Sequence, residues 1–170
     1  MGESSINKAK VIDMLPLATF KTVIASTPLI SIDLVVKNSA GQVLLGKRTN
    51  RPAQNFWFVP GGRVLKDESL DVAFNRIIKA ELSSDKHKAN FLGVYQHFYD
   101  DNATEDDFST HYIVLAYELL FNESISKLPT EQHNEYRWFN KSELLKHNAV
   151  HQHTKWYFEE DTQADKAFSL

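Results

Sequence analysis

The chain has 170 residues, 19 Lys+Arg against 22 Asp+Glu, a net charge of -3, 42% hydrophobic residues and no cysteine. One domain of this size buries about two-thirds of the surface its unfolded chain exposes, and the missing cysteines exclude disulfides, Cys-ligated zinc, iron-sulfur clusters and thiol nucleophiles. The charge excludes a broad nucleic-acid footprint, and the longest apolar stretch, Pro28 to Val36, is far below the roughly 20 residues of a membrane span, so cytoplasmic residence with neither nucleic-acid nor membrane partner is expected.

Residues 1–13 are polar and mixed in charge and read as a flexible segment ahead of a single domain over 14–170. Leu17, Phe20, Val23 and Ile24 recur at helical spacing and predict a short helix that stops before Ser26-Thr27-Pro28. Leu29 to Lys37 and Val43 to Arg48, joined by Asn38-Ser39-Ala40-Gly41, predict a hairpin. A very short strand is expected at Trp57 to Val59, after which Pro60-Gly61-Gly62 breaks regular structure. Leu70 to Leu82 is an amphipathic helix with Ser69 placed to cap it.

Strands follow at Phe91 to Phe98 and Tyr112 to Phe121, separated by the acidic stretch Asp100 to Asp107, a solvated loop close enough to His97 to close over a ligand. The last strand is Tyr136 to Phe139. Asn140 and Glu143 have capping-box spacing for a helix over Leu144 to His147, and a final helix is expected at Thr154 to Asp161. Helices before, between and after the strands predict an α/β layered domain.

The chemistry is written in Gly62-x5-Glu68-x7-Arg76-Ile77-Ile78-Lys79-Ala80-Glu81-Leu82-Ser83. This stretch resembles the box of the Nudix hydrolase family, G-x5-E-x7-R-E-U-x-E-E-x-G-U with U a bulky aliphatic, and departs from it at Ile77, Ala80 and Ser83. Flanking stretches, among them Gly46 to Gln54, Trp57 to Val64, Gln96 to Asp101, Thr110-His111-Tyr112 and Glu131-Gln132-His133, are similar to the GDP-mannose mannosyl hydrolase branch of that family. The resemblance runs from about Leu15 to Phe158.

It implies a Nudix-type α/β/α sandwich with a mixed central sheet, a homodimer, and hydrolysis of GDP-mannose, with GDP-glucose a second candidate, to GDP and free sugar by inverting water attack at the anomeric carbon. It further implies one Mg²⁺ per site, replaceable by Mn²⁺, held by the Gly61 carbonyl, the Glu81 carboxylate and the Gln132 side-chain oxygen. His133 matches the general base, and Arg48 and Arg63 match basic residues at the diphosphate. Met14, Leu15 and Phe20 match a nucleotide-contacting segment in which Phe20 is suited to stack on guanine, and Asp33, His97 and Tyr112 match polar residues near the sugar.

The residue types suit that reaction. Mg²⁺ takes oxygen ligands and commonly only one or two carboxylates, so a single Glu suffices when substrate phosphates supply the rest. Arginine presents a fork that fits phosphate oxygens, and histidine is the side chain that titrates nearest neutrality. Two other readings stand beside this one. A conventional Nudix pyrophosphohydrolase would cut between the phosphates, and a nucleotide-sugar sensor would bind without turnover. Glu68 and Arg76 are expected to pair structurally, and His133, in a polar loop, would ordinarily be an exposed residue that only the neighbouring Gln132 and the resemblance lift to a base. His147, His151 and His153 read as surface residues without a role, and Trp57, Trp138 and Trp156 as core.

Overall fold

The computed structural model describes residues 15–85, 88–104 and 106–159. Met14 and the segment expected to be flexible, residues 1–13, lie outside the described residues, as does Asp161 at the expected end of the last helix. The elements in chain order are α1 (Leu17–Ser26), β1 (Leu29–Lys37), β2 (Val43–Arg48), β3 (Trp57–Phe58), β4 (Gly61–Arg63), α2 (Leu70–Leu82), β5 (Ala89–Tyr99), β6 (Thr110–Leu120), a 3₁₀ turn at Ile125–Lys127, β7 (His133–Phe139), α3 (Lys141–Lys146) and α4 (Gln152–Trp156). No described helix is long and apolar enough to cross a membrane.

The strands form one mixed sheet in the order β3-β2-β1-β6-β5, with β4 paired to β1 and β7 to β2. β1 is the centre because it is apolar on both faces, as a strand covered from both sides must be. It runs parallel to β6, from Leu29 beside Tyr112 to Lys37 beside Leu120. Alternation along the strands sends Ile32, Leu34, Val36 and Leu44 to a core shared with Ala73, Ile77, Ile78 and Leu82 of α2. Val35, Val43 and Leu45 face the other way, onto Trp57, Phe58, Phe139, Leu144, Val150 and Phe158. The expected α/β/α sandwich results, with α2 on one face and α3 and α4 on the other.

β1 touches β2 in register only at Lys37 and Val43, and its other half pairs with β4 instead, Ser31 to Arg63 and Asp33 to Gly61. The stretch expected to break regular structure is therefore partly a strand. The open edge of β1 offers backbone partners where β2 has diverged toward β7. Two caps divide in the same way. Ser69 accepts from the Val72 amide at 3.4 Å as expected, whereas Asn140 occupies the start of α3 without a side-chain cap, and Glu143 pairs with Arg137 instead. The last helix is Gln152–Trp156, shorter than expected and started by His151, whose Nδ1 accepts from the His153 amide at 3.2 Å.

Candidate active site

The divergence of β1 and β2 opens a cavity of about 700 Å³, with residues of α1, the 49–54 loop, β4 to α2, β5, β6 and the turn before β7 in its wall. Phe20, Asp33, Arg48, Gly61, Arg63, His97, Tyr112 and Gln132 all line it. Leu15 does not, and is 52% exposed ahead of α1.

Two arginines, Arg48 and Arg63, line the cavity. Arg48 Nε donates to the Pro52 carbonyl at 3.0 Å, and its guanidinium carbon lies 5.6 Å from the Phe58 ring centre. Arg63 lies over Phe20 at 4.2 Å, which couples α1 to the loop between β4 and α2. That loop is clamped by the expected pair: Arg76 donates to both Glu68 carboxylate oxygens at 2.6 and 2.8 Å and to the Arg63 carbonyl at 2.7 Å. The Arg76 hydrogen bonds hold the Glu68 carboxyl below the usual range.

Glu81, in the last turn of α2, is almost fully buried, 4% exposed, and does not itself line the cavity; its Oε1 accepts from Gln132 Nε2 at 2.8 Å. Gly61 approaches β1 so closely that a Cβ there would sit 2.6 Å from the Ile32 carbonyl and 2.8 Å from Asp33 Oδ1. Among the described residues no group of three His, Cys, Asp or Glu side chains is arranged to hold a metal. A cation here would have at most two such side chains and must draw its other ligands from amide, carbonyl and ligand oxygens. Gly61 and Gln132 line the cavity and Glu81 stands directly behind Gln132, so their carbonyl, amide and carboxylate oxygens fit a hard divalent ion once the Gln132 amide, whose nitrogen here faces Glu81, turns its oxygen inward.

His133 departs from its expected setting. It opens β7 and is 1% exposed, with Nδ1 3.5 Å from Glu81 Oε2 and 3.3 Å from the Tyr136 hydroxyl. Its ring is seated against Gly46, where a Cβ would fall 2.5 Å from Cγ. Nε2 is buried without a hydrogen-bond partner, and the ring does not line the cavity.

The other wall is a buried polar aromatic cluster. Asp33 is 7% exposed, and burial pushes its carboxyl up to about 7 against the opposing Tyr157 hydrogen bond and Arg48 charge. His97 is 2% exposed, and burial with His153 and His151 nearby pushes it down to about 2. His153 and His151 are depressed to about 3 and about 4, chiefly by burial. These two are thus not the surface residues expected: His153 stacks on His97 at 4.2 Å and 10°. Trp57 is core at 6% exposure, while Trp138 and Trp156 are only partly buried. Tyr99, Arg51 and Gln54 also line the cavity, and Tyr157 backs it. No spacing signal marked these residues, because they converge from a loop, a strand and the C-terminal turn only after the sheet forms.

A family profile for the NUDIX domain matches residues 27–159. The chain is 39% identical over 120 residues to the low-salt glycan biosynthesis protein Agl8 of Haloferax volcanii, covering 71% of this chain and 76% of that protein. Among solved structures it resembles a MutT protein from Methanosarcina mazei, with a TM-score of 0.64 and 22% identity over 85% of this chain and 99% of that one. It also resembles the NUDIX domain of Shewanella oneidensis NrtR complexed with ADP ribose, with a TM-score of 0.57 and 17% identity over 80% of this chain and 90% of that one.

Proposed function

The chain belongs to the NUDIX hydrolase family, and from that premise we propose that it hydrolyses a GDP-sugar, GDP-mannose foremost, to GDP and free sugar by water attack at the anomeric carbon with inversion. The observation that carries this reading is the poverty of carboxylates on α2. Ile77, where the family's box has an acid, is 1% exposed in the core, and Ala80 replaces another, so Glu81 alone serves the site from the three acidic box positions after Arg76. A reaction at phosphorus that needs several box carboxylates is poorly served. Displacement at carbon with a diphosphate leaving group asks only for charge stabilisation of that group. The resemblance to a glycan biosynthesis protein supports a sugar-nucleotide role.

In this proposal guanine meets Phe20, Arg48 and Arg63 bind the diphosphate, and the sugar lies toward Asp33, His97 and Tyr112. Gly61, Glu81 and Gln132 hold one divalent ion, Mg²⁺ or Mn²⁺, which when bound neutralises developing charge on the leaving diphosphate. The base is His133 if the turn before β7 carries Nε2 into the cavity. Asp33, which already lines the cavity with its carboxyl pushed up to about 7, favours a second reading in which it takes that part. His133→Gln should lower kcat by about 10² to 10⁴ in the first case and far less in the second. A homodimer in the cytoplasm completes the proposal, with sedimentation as its check on assembly.

The deciding experiment is incubation with a panel of nucleotide sugars and Mg²⁺ in ¹⁸O water. GDP with label in the sugar is expected. Label in GMP or sugar phosphate would mean attack at phosphorus and a pyrophosphohydrolase, and binding without product would mean a sensor.

A further inference from the structure

Behind the cavity wall, the residue that closes α4 reaches two of the three polar groups assigned to the sugar. The Tyr157 hydroxyl donates to Asp33 Oδ2 at 2.7 Å and lies 3.3 Å from His97 Nε2. Its ring is fixed edge-on against Tyr95 at 4.7 Å and 82°. Asp33 and His97 line the cavity, whereas Tyr157 is not among the lining residues.

A hydroxyl has one proton and can also accept. With that proton given to Asp33, the Tyr157 oxygen can only accept from His97, so His97 Nε2 must carry the imidazole proton. The ring is in a state to be sorted in this way, because burial holds it neutral, with a single N–H. One oxygen therefore sets two things at once: the rotation of the Asp33 carboxylate and the tautomer of His97. His153, stacked on the His97 face at 4.2 Å, limits the ring's freedom from a second direction.

We propose that Tyr157 is a positioning residue, whose hydroxyl holds Asp33 and His97 in the orientation that receives the sugar of the nucleotide sugar. The assignment of a sugar to this wall rests on the function proposed above; the hydrogen-bond chain itself does not.

The test is Tyr157→Phe, which keeps the ring against Tyr95 and removes only the hydroxyl. With GDP-mannose, kcat should fall by about 10-fold or more, while GDP affinity by calorimetry stays within about twofold, since GDP has no sugar to orient. In the double variant with Asp33→Asn the two losses should not multiply, because one residue acts through the other. Independently of turnover, ¹⁵N NMR of the imidazoles should show His97 as the Nε2–H tautomer in the unaltered protein and a changed tautomer or exchange-broadened signal in Tyr157→Phe. Unchanged kcat, an equal loss of GDP affinity, fully multiplicative losses, or an Nδ1–H His97 in the unaltered protein would each overturn the proposal. If the unaltered protein turns over no nucleotide sugar, the function falls. The NMR comparison then decides the positioning role alone, and a His97 signal indifferent to Tyr157→Phe rejects it.

Discussion

In the proposed site a single glutamate, Glu81, takes the part that several acids take in a full box. It is buried beside Gln132, whose amide already reaches it at 2.8 Å. Replacing it by Gln keeps shape and hydrogen bonding but removes the one formal negative charge of the proposed ligand set. Glu81→Gln should raise the metal concentration needed for half-maximal activity by at least about 10-fold, an effect that even outer-shell partners reach. A metal titration with the same midpoint as the unaltered protein would remove Glu81 from the site. Ser83 shows the opposite kind of local cost. It closes α2 with φ 51, the left-handed conformation that glycine adopts freely and other residues adopt at a penalty. The sequence placed this serine where the box has glycine, and the conformation explains why glycine belongs there. Ser83→Gly should stabilise the protein by about 0.5 to 1 kcal/mol in urea unfolding.

Among the elements, those with strong periodicity were legible. α2 and β2 occupy the expected spans, and β1 lies where its unbroken run of Ile, Leu and Val placed it. What escaped sequence reading depends on long-range partners. β4 exists because β1 has a free edge, and α3 starts without its expected cap because Arg137 takes Glu143. His133 is buried because β7 pairs with β2 opposite Arg48 and Gly46 leaves room for its ring. The candidate site was legible through the box and its flanks, but the backing from α4 was not, since nothing in residues 151–157 shows which strand they will cover. The identity of Ile77 bears directly on this element. It packs with Ile32 and Leu34 in the core and lies 3.2 Å from where a Gly62 Cβ would be. Ile77→Glu, which restores the box letter, should therefore cost about 3 to 5 kcal/mol through an unpaired buried carboxylate. The check is chemical unfolding; a variant as stable as the parent and newly able to release GMP would reverse the assignment.

For the molecule as a whole, the buried ionisable cluster sets the response to acid. His97, His153 and His151 have folded values of about 2, about 3 and about 4, below the ordinary 6.5 of the unfolded chain, so the unfolded state takes up their protons first. Their contribution is complete above about pH 6.5 and declines as pH falls toward the folded values. Asp33 acts in the other direction: raised from 3.8 to about 7, it favours the folded state increasingly as pH falls through that interval. Three protons against one leave a net loss of about 3 kcal/mol per pH unit between roughly pH 6 and pH 5. Asp33→Asn removes the offset, so its stability should fall about one and a half times as steeply over the same range. Urea midpoints at pH 7, 6 and 5 measure both slopes, and equal slopes would place the Asp33 proton elsewhere.

The parallel pairing of β1 with β6 reaches beyond architecture to the order of events in folding. Leu29 and Tyr112 are neighbours in the sheet, yet the whole of β2 to β5 with α2 lies between them in the chain. Bringing such distant segments together costs loop-closure entropy that no local turn repays, so this seam is slow relative to the β1 to β2 hairpin and the α2 helix. Asp33 stands on one side of the seam and Tyr112 on the other, and both line the cavity. A refolding chain therefore acquires α2 before the cavity is complete, and ligand-binding competence should return in the slowest phase, after the far-UV signal of α2.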